Sequence, residues 1–225
     1  MRNFRVIILK HITVICSNDQ TITMDLFSNE SKDVINLLPY DGVANYHGKV
    51  LKQTEAAAYF DCLLKTINWQ HDEIIIYGKR IITKREVAWY GDEPYRYTYS
   101  NTTKQAQIFT KELWELKKII EDTSGATFNS CLLNLYHSGE EGMSWHSDDE
   151  ACFGHNATIA SLSLGAERKF SFKHKKTKET ASVLLENGSL LVMKDATQTN
   201  WLHSLPKSVT VNKARINLTF RKMLT

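Results

Sequence analysis

Two histidines and an aspartate set the chemistry that this sequence can do. Residues 144–149 read SWHSDD. Side chains alternate along an extended segment, so His146 and Asp148 project to one face and can bind one metal ion together. A third donor is available in His203, within NWLHS. Two imidazoles and a carboxylate on one face of a metal are the ligand set of non-haem iron(II) oxygenases, with positions left open for a co-substrate and oxygen. The HxD pair alone says little, because such pairs are common by chance. His155 and His174 compete with His203 for the third place, and the same donors could hold zinc for hydrolysis.

A second pattern bears on that choice. Residues 215–221 read RINLTFR. Arg215, Asn217, Thr219 and Arg221 alternate with Ile216, Leu218 and Phe220, so a strand here carries four polar groups on one face and three apolar ones on the other. An ordinary half-buried strand would read the same way. As the lining of a barrel mouth, however, two guanidiniums suit a small dicarboxylate, which arginine grips in a two-pronged fork that lysine cannot make. In CLLNLY, Asn134 and Tyr136 share a face, and both can donate to the same carboxylate.

Elements must position these groups. The chain has 225 residues, 42% hydrophobic and 24% charged, enough for one large domain. The net charge of +3 says little about partners. No apolar run is long enough to span a bilayer, so no membrane partner is expected. The opening MRNFRVIILKHITVIC is broken by Lys10 and His11 and reads as a strand rather than a signal peptide. Cys16, Cys62, Cys131 and Cys152 lie far apart with no CxxC, which fits reduced thiols in a cytosolic protein. Thr54 can cap a helix running to about Ile67, and Thr110 a second one to Glu121 with Gly125 as its stop. Residues 73–77 and 80–89 read as a hairpin around Gly78-Lys79. Beyond Asn129, runs at 130–136, 157–164, 168–174, 180–185, 189–193, 200–204 and 214–221 recur between turn signals, as in a sandwich or jelly-roll. The expected organisation is one unit: residues 1–105 an N-terminal extension and lid, residues 106–225 a β core.

At this point the chain resembles the AlkB family of nucleic-acid dealkylating dioxygenases, in particular its animal DNA-repair homologues. The resemblance runs over most of residues 73–225. It rests on WYGDEPYRYTYS, FNSCLLNLYHSGEEGMSWHSDDE, IASLSLGAERKFSFKHKK, NGSLLVMKDATQTNWLHSLP and RINLTFRKM, in that order. It implies an α+β fold: a double-stranded β-helix (jelly-roll) core with flanking helices and an N-terminal β-rich nucleotide-recognition lid. It implies iron(II) held by His146, Asp148 and His203, and 2-oxoglutarate contacted by Asn134, Tyr136, Arg215, Thr219 and Arg221 with Asn217 nearby. Arg215 would take the distal carboxylate. Oxygen, the other co-substrate, would be used to oxidise 2-oxoglutarate to succinate and carbon dioxide. A methyl group on a base nitrogen would be hydroxylated in the same cycle and leave as formaldehyde.

The substrate base must leave its stack to reach such a site. By resemblance Tyr99 stacks on the flipped base opposite His146, Tyr97 hydrogen-bonds to it, and Asp149 attracts a positively charged methylated ring. Without the resemblance, Tyr97 and Tyr99 read as half-buried tyrosines of an amphipathic strand. Lys79, Arg80, Lys84 and Arg85, together with KHKKTK at 173–178, are expected to meet phosphates. Ile76 and Tyr77 match an intercalating finger, or else pack into the sheet. The expected partner is alkylated DNA, with RNA or protein as alternative substrates of the same chemistry. A monomer is expected, in a bacterial cytoplasm or, for a eukaryotic source, in the nucleus. A non-enzymatic metal-binding jelly-roll sensor or nucleic-acid-binding module is the reading of another class, and a dicarboxylate pocket argues against it.

Overall fold

The structure, a computed structural model, describes residues 12–15, 21–24, 34–76, 79–99 and 102–224, with side chains described over 34–72, 82–96 and 105–224. Residues 1–33 form a unit by themselves, whose described part is an antiparallel hairpin of β1 (Ile12–Ile15) and β2 (Thr21–Met24). The strand expected at the start of the chain is present at 12–15; the rest of that stretch lies outside the described residues.

Residues 34–225 form the second unit. In chain order it holds β3 (Val43–Lys49), α1 (Gln53–Thr66), β4 (Gln70–Ile76), β5 (Lys79–Gly91), β6 (Arg96–Tyr99), β7 (Thr102–Gln105), β8 (Gln107–Ile108) and α2 (Lys111–Ser124). Then come β9 (Ser130–Tyr136), β10 (Met143–His146), a 3-10 turn at Ala151–Phe153, β11 (Ile159–Gly165), β12 (Arg168–His174), β13 (Thr180–Leu185), β14 (Ser189–Lys194), α3 (Thr197–Asn200), β15 (Trp201–Leu205) and β16 (Arg215–Arg221). One sheet runs β3-β14-β11-β16-β9-β5-β4, with β8 added along β5; a second runs β10-β15-β12-β13. From β9 onward the chain passes back and forth between the two sheets, as a jelly-roll does.

The large sheet has two different faces because side chains alternate. Ile216, Leu218 and Phe220 of β16 join Cys131, Leu133 and Leu135 of β9 and Ala160, Leu162 and Leu164 of β11 in one buried cluster. Leu63 of α1 and Leu113, Leu116 and Ile120 of α2 complete that cluster, so the helices cover this face. A second cluster, Ile159, Leu191 and Met193 with Phe172, Leu185 and Trp201, fills the space between the sheets at their β3–β14 end. The other end of that space is lined by polar side chains.

Both helices form where the sequence signals them. Thr110 accepts a hydrogen bond from the Leu113 amide at 3.4 Å, and Gly125 at φ 69° ends α2. The first helix starts earlier than its threonine suggests. Its N-cap is Lys52, because the Glu55 carboxylate takes the Lys52 amide at 2.9 Å, and Thr54 lies inside the first turn. β3 carries no clear alternation in its sequence. Gly48, at φ 67°, sits where the register against β14 shifts, and the resulting bulge breaks the period.

The HSGEEG turn between β9 and β10 is pinned by a buried cation. Arg168 donates to the carbonyls of Glu141 and Pro206 at 2.8 Å and of Ser138 at 3.2 Å, tying this turn to the end of β15. Gly139 closes the same junction: its amide donates to Val211 and its carbonyl accepts from Ser208, both at 2.7 Å. A Cβ at position 139 would stand 2.0 Å from the Ser208 carbonyl oxygen. Gly139→Ala should therefore destabilise by about 2 kcal/mol or more, seen as a fall of roughly 4–8 °C in a thermal melt.

Candidate active site

β10 and β15 pair so that His146 stands opposite His203, and their rings lie 4.2 Å apart. Asp148 follows just beyond β10. One donor atom from each of His146, Asp148 and His203 can be chosen so that all lie within 4.8 Å of one another, and this is the only such cluster of His, Cys, Asp and Glu among the described residues. The rivals for the third place are elsewhere. His174 is buried beside Trp201 and accepts the Thr177 amide at its Nδ1, and His155 is exposed.

Each donor is held for the task. The Nδ1 of His146 lies 2.8 Å from the Ser144 carbonyl, which can only accept, so Nδ1 donates there, and Nε2 is turned toward Asp148 Oδ1, 3.8 Å away. His203 is 4% exposed, and burial pushes its pKa down to about 3, which keeps its imidazole neutral. Asp148 is 6% exposed. Burial alone would raise its pKa, but the Arg221 guanidinium outweighs that and holds the carboxyl below the usual range. Arg221 donates to Asp148 Oδ2 at 2.6 Å. Gln198, itself buried, accepts the Asp148 amide at 2.9 Å. Lys175 then reaches the Gln198 carbonyl at 2.8 Å and the Ser147 hydroxyl at 3.0 Å. Two imidazoles and a carboxylate, converging on one point, fit a divalent first-row metal such as iron(II).

β16 lies between β9 and β11, and its register sets Arg215 opposite Tyr136 and Asn217 opposite Asn134. Arg215 is 2% exposed. It donates to Ser163 Oγ at 2.9 Å and its guanidinium lies 5.6 Å from the Tyr136 ring centre, yet its Nε has no hydrogen-bond partner. Among the described residues no carboxylate lies within ion-pairing distance of it. Burial drives its pKa down to about 10. A buried cation without an anion is costly, and a ligand carboxylate would relieve that cost. The residues around Arg215 thus fit a dicarboxylate such as 2-oxoglutarate. Asn217 donates to Ser161 Oγ at 2.8 Å and to the Leu162 carbonyl, and Thr219 donates to Asn217 at 3.2 Å, so these two brace the strand beside the arginine.

The expected nucleic-acid contacts fall into three groups. Asp149 is exposed, 65% by its side chain, and lies 3.8 Å from Lys175 Nζ. Tyr97 and Tyr99 are on β6, which pairs with β7; their side chains, and those of Ile76, Lys79 and Arg80, lie outside the described residues, as does Tyr77 altogether. Lys84 is exposed, but Arg85 is buried and bonded to Asn134 and Asp72, a place from which it does not reach a phosphate. In KHKKTK, Lys173 lies 4.3 Å from the Trp145 ring centre, Lys175 is engaged as described, and Lys176 and Lys178 are exposed. Gln198 and Asp72 carry no sequence signal. Ser161 and Ser163 do, since their spacing of two in IASLSLG sets both hydroxyls on one face of the sheet, where they accept from Asn217 and Arg215.

A cluster of three potential metal ligands and a buried arginine facing the gap between the sheets of a jelly-roll define an oxygenase-type centre. The model of the 2OG-Fe(II) oxygenase superfamily matches residues 43–221, and the chain belongs to that family. It is 38% identical over 177 residues to the alpha-ketoglutarate-dependent dioxygenase alkB homolog 3 of Bos taurus, covering 74% of this chain and 61% of that protein. It is 31% identical over 206 residues to the DNA oxidative demethylase ALKBH2 of Arabidopsis thaliana, covering 80% and 66%. The matches thus span about half to two thirds of the length of such curated relatives. The solved structure of OsALKBH1 shares the fold, with a TM-score of 0.56 at 15% identity over 80% of this chain and 96% of that one. The AlkB resemblance read from the motifs accords with these relatives.

His203→Ala should leave the fold intact, since the ring lies at the edge of the polar gap. Direct titration with manganese(II) or iron(II) should show a loss of affinity greater than the roughly 10–100-fold that removing an outer partner of a ligand costs.

Proposed function

We propose that the chain is an iron(II)- and 2-oxoglutarate-dependent dioxygenase that removes alkyl groups from nucleic-acid bases such as 1-methyladenine and 3-methylcytosine in DNA, releasing formaldehyde. The observation that carries this reading is Arg215: a buried guanidinium with no carboxylate partner among the described residues, on the same face of β16 as Arg221, which binds Asp148. A metal site for hydrolysis alone would have no use for that second cation.

In this reading His146, Asp148 and His203 hold the iron. Arg215 holds the distal carboxylate of 2-oxoglutarate, with Tyr136 against it and Asn134 donating from the next strand. Iron and co-substrate together supply the oxidising power for hydroxylating the alkyl group. The protein supplies position and dryness: the clusters around Trp201 and Phe172 close one end of the gap, so the base must enter from the other. Tyr97, Tyr99 and Asp149 are its proposed contacts, with Lys176 and Lys178 available to phosphates. The three free thiols among the described residues, Cys62, Cys131 and Cys152, suit a reducing compartment, and we assign the protein to the bacterial cytoplasm as a monomer.

The deciding measurement is succinate release from 2-oxoglutarate with iron(II) and methylated oligonucleotides, DNA and RNA in parallel; no succinate with either would overturn the reading. Arg215→Lys keeps the charge and loses the fork, and 2-oxoglutarate binding should weaken by about 1.5–3 kcal/mol. If Ile76 and Tyr77 form a wedge, replacing both with alanine should slow repair in duplexes and spare single strands. Equal loss on both substrates would assign them to packing instead.

A further inference from the structure

One buried group is left over by this scheme. Arg85 of β5 is 9% exposed, and its guanidinium bridges two side chains. One arm donates to Asn134 Oδ1, the other to Asp72 Oδ2 at 2.8 Å. Asp72 lies where the β4–β5 register shifts between His71 and Glu73, a bulge that re-aims its side chain.

This bridge has a consequence for Asn134. An asparagine amide can present either its oxygen or its NH2 to a neighbour, and the choice is set by its partners. A guanidinium can only donate, so the Asn134 oxygen must face Arg85. The NH2 then faces away from β5, toward the side on which β16 carries Asn217 and Arg215. That nitrogen has no hydrogen-bond partner among the described residues. It is a donor held ready for an acceptor between the sheets. Were the amide free to turn over, half of its orientations would set an oxygen against a carboxylate.

We infer that Arg85 is a positioning residue for the 2-oxo acid: it locks the Asn134 amide in the donating orientation, and Asp72 in turn locks Arg85. The inference rests on the proposed co-substrate. Arg85 does not touch the ligand itself. Its charge is taken up by Asp72, so its effect runs through the direction of one amide.

The test is calorimetric titration of 2-oxoglutarate into the full chain loaded with manganese(II), so no turnover is needed. Lysine at position 85 keeps the charge but replaces the rigid two-armed fork with a single nitrogen on a flexible stem, which does not fix the direction of the amide. Arg85→Lys should bind 2-oxoglutarate about tenfold more weakly, the factor for one hydrogen bond to a charged group. Asp72→Asn should lose affinity in the same direction and by less. In an Asn134→Ala background, Arg85→Lys should cost nothing further, because no amide remains to orient. Manganese affinity should stay level throughout. Unchanged 2-oxoglutarate affinity in both Arg85→Lys and Asp72→Asn would overturn the inference. So would an equal loss with Asn134 absent, which would mean that Arg85 acts by charge, or a parallel loss of manganese binding, which would mean a general structural role. A wild-type chain that binds no 2-oxoglutarate would overturn the proposed function as well, whereas variants that match a binding wild type defeat the inference alone.

Discussion

The register of β16 is the constraint on which both core and site depend. This strand sits in the middle of the large sheet, hydrogen-bonded to β11 on one side and β9 on the other. Its side chains alternate between the helix-covered face and the gap between the sheets. A slip of one residue would drive Arg215, Asn217, Thr219 and Arg221 under the helices and turn Ile216, Leu218 and Phe220 into the gap. The hydrophobic cluster beneath α1 and α2 therefore does more than stabilise the domain. It fixes, to the residue, which groups can reach a ligand.

Charge in the gap is distributed with the same economy. Arg221 meets Asp148 and so joins the central strand of one sheet to the metal-binding segment that leaves the other. The terminal nitrogens of Arg168 are taken up by four backbone carbonyls, though its Nε has no partner, and Arg85 is held by Asp72 and Asn134. Arg215 alone among these buried guanidiniums has only a hydroxyl and an aromatic face. Buried cations are ordinarily paired. Arg168 is met by a ring of carbonyls, whereas Arg215 sits on the row that carries Arg221, the partner of the candidate metal ligand Asp148, and that coincidence gives the site its chemical direction.

Much of this was legible in the sequence, for physical reasons that differ by element. The strands β9, β12, β13 and β16 begin and end within a residue of the apolar or alternating runs that mark them, because turn signals bound each run. The helix α2 was marked by its threonine cap and glycine stop. β3 was not legible, since Gly48 interrupts its alternation with a bulge. The start of α1 was displaced by two residues because a glutamate three positions into the helix, rather than a threonine, supplies the cap bond. At the site, His146 and Asp148 follow from spacing, and β-strand alternation gathers Arg215 and Arg221. Arg85 was misread for an equally plain reason. In a row of basic residues, nothing local tells a solvated cation from one that an aspartate thirteen positions earlier draws inward. Gln198 was invisible, because its role depends on a fold-back that brings it to the amide of Asp148.

The central place of β16 also bears on how the domain is made. Its neighbours β9 and β11 precede it by long stretches of chain, and β12 to β15 are laid down in between. As the polypeptide emerges from the ribosome, those two strands wait side by side with a missing partner, each offering a row of unpaired amides and carbonyls to any passing strand. The sheet closes only when its last member is inserted between segments already folded, a non-local step of the kind that is slow and prone to association with other chains. A nascent chain halted before residue 215 would thus carry the metal-binding residues without the strand that completes either the core or the co-substrate pocket, and would be a client for chaperones rather than a partial enzyme.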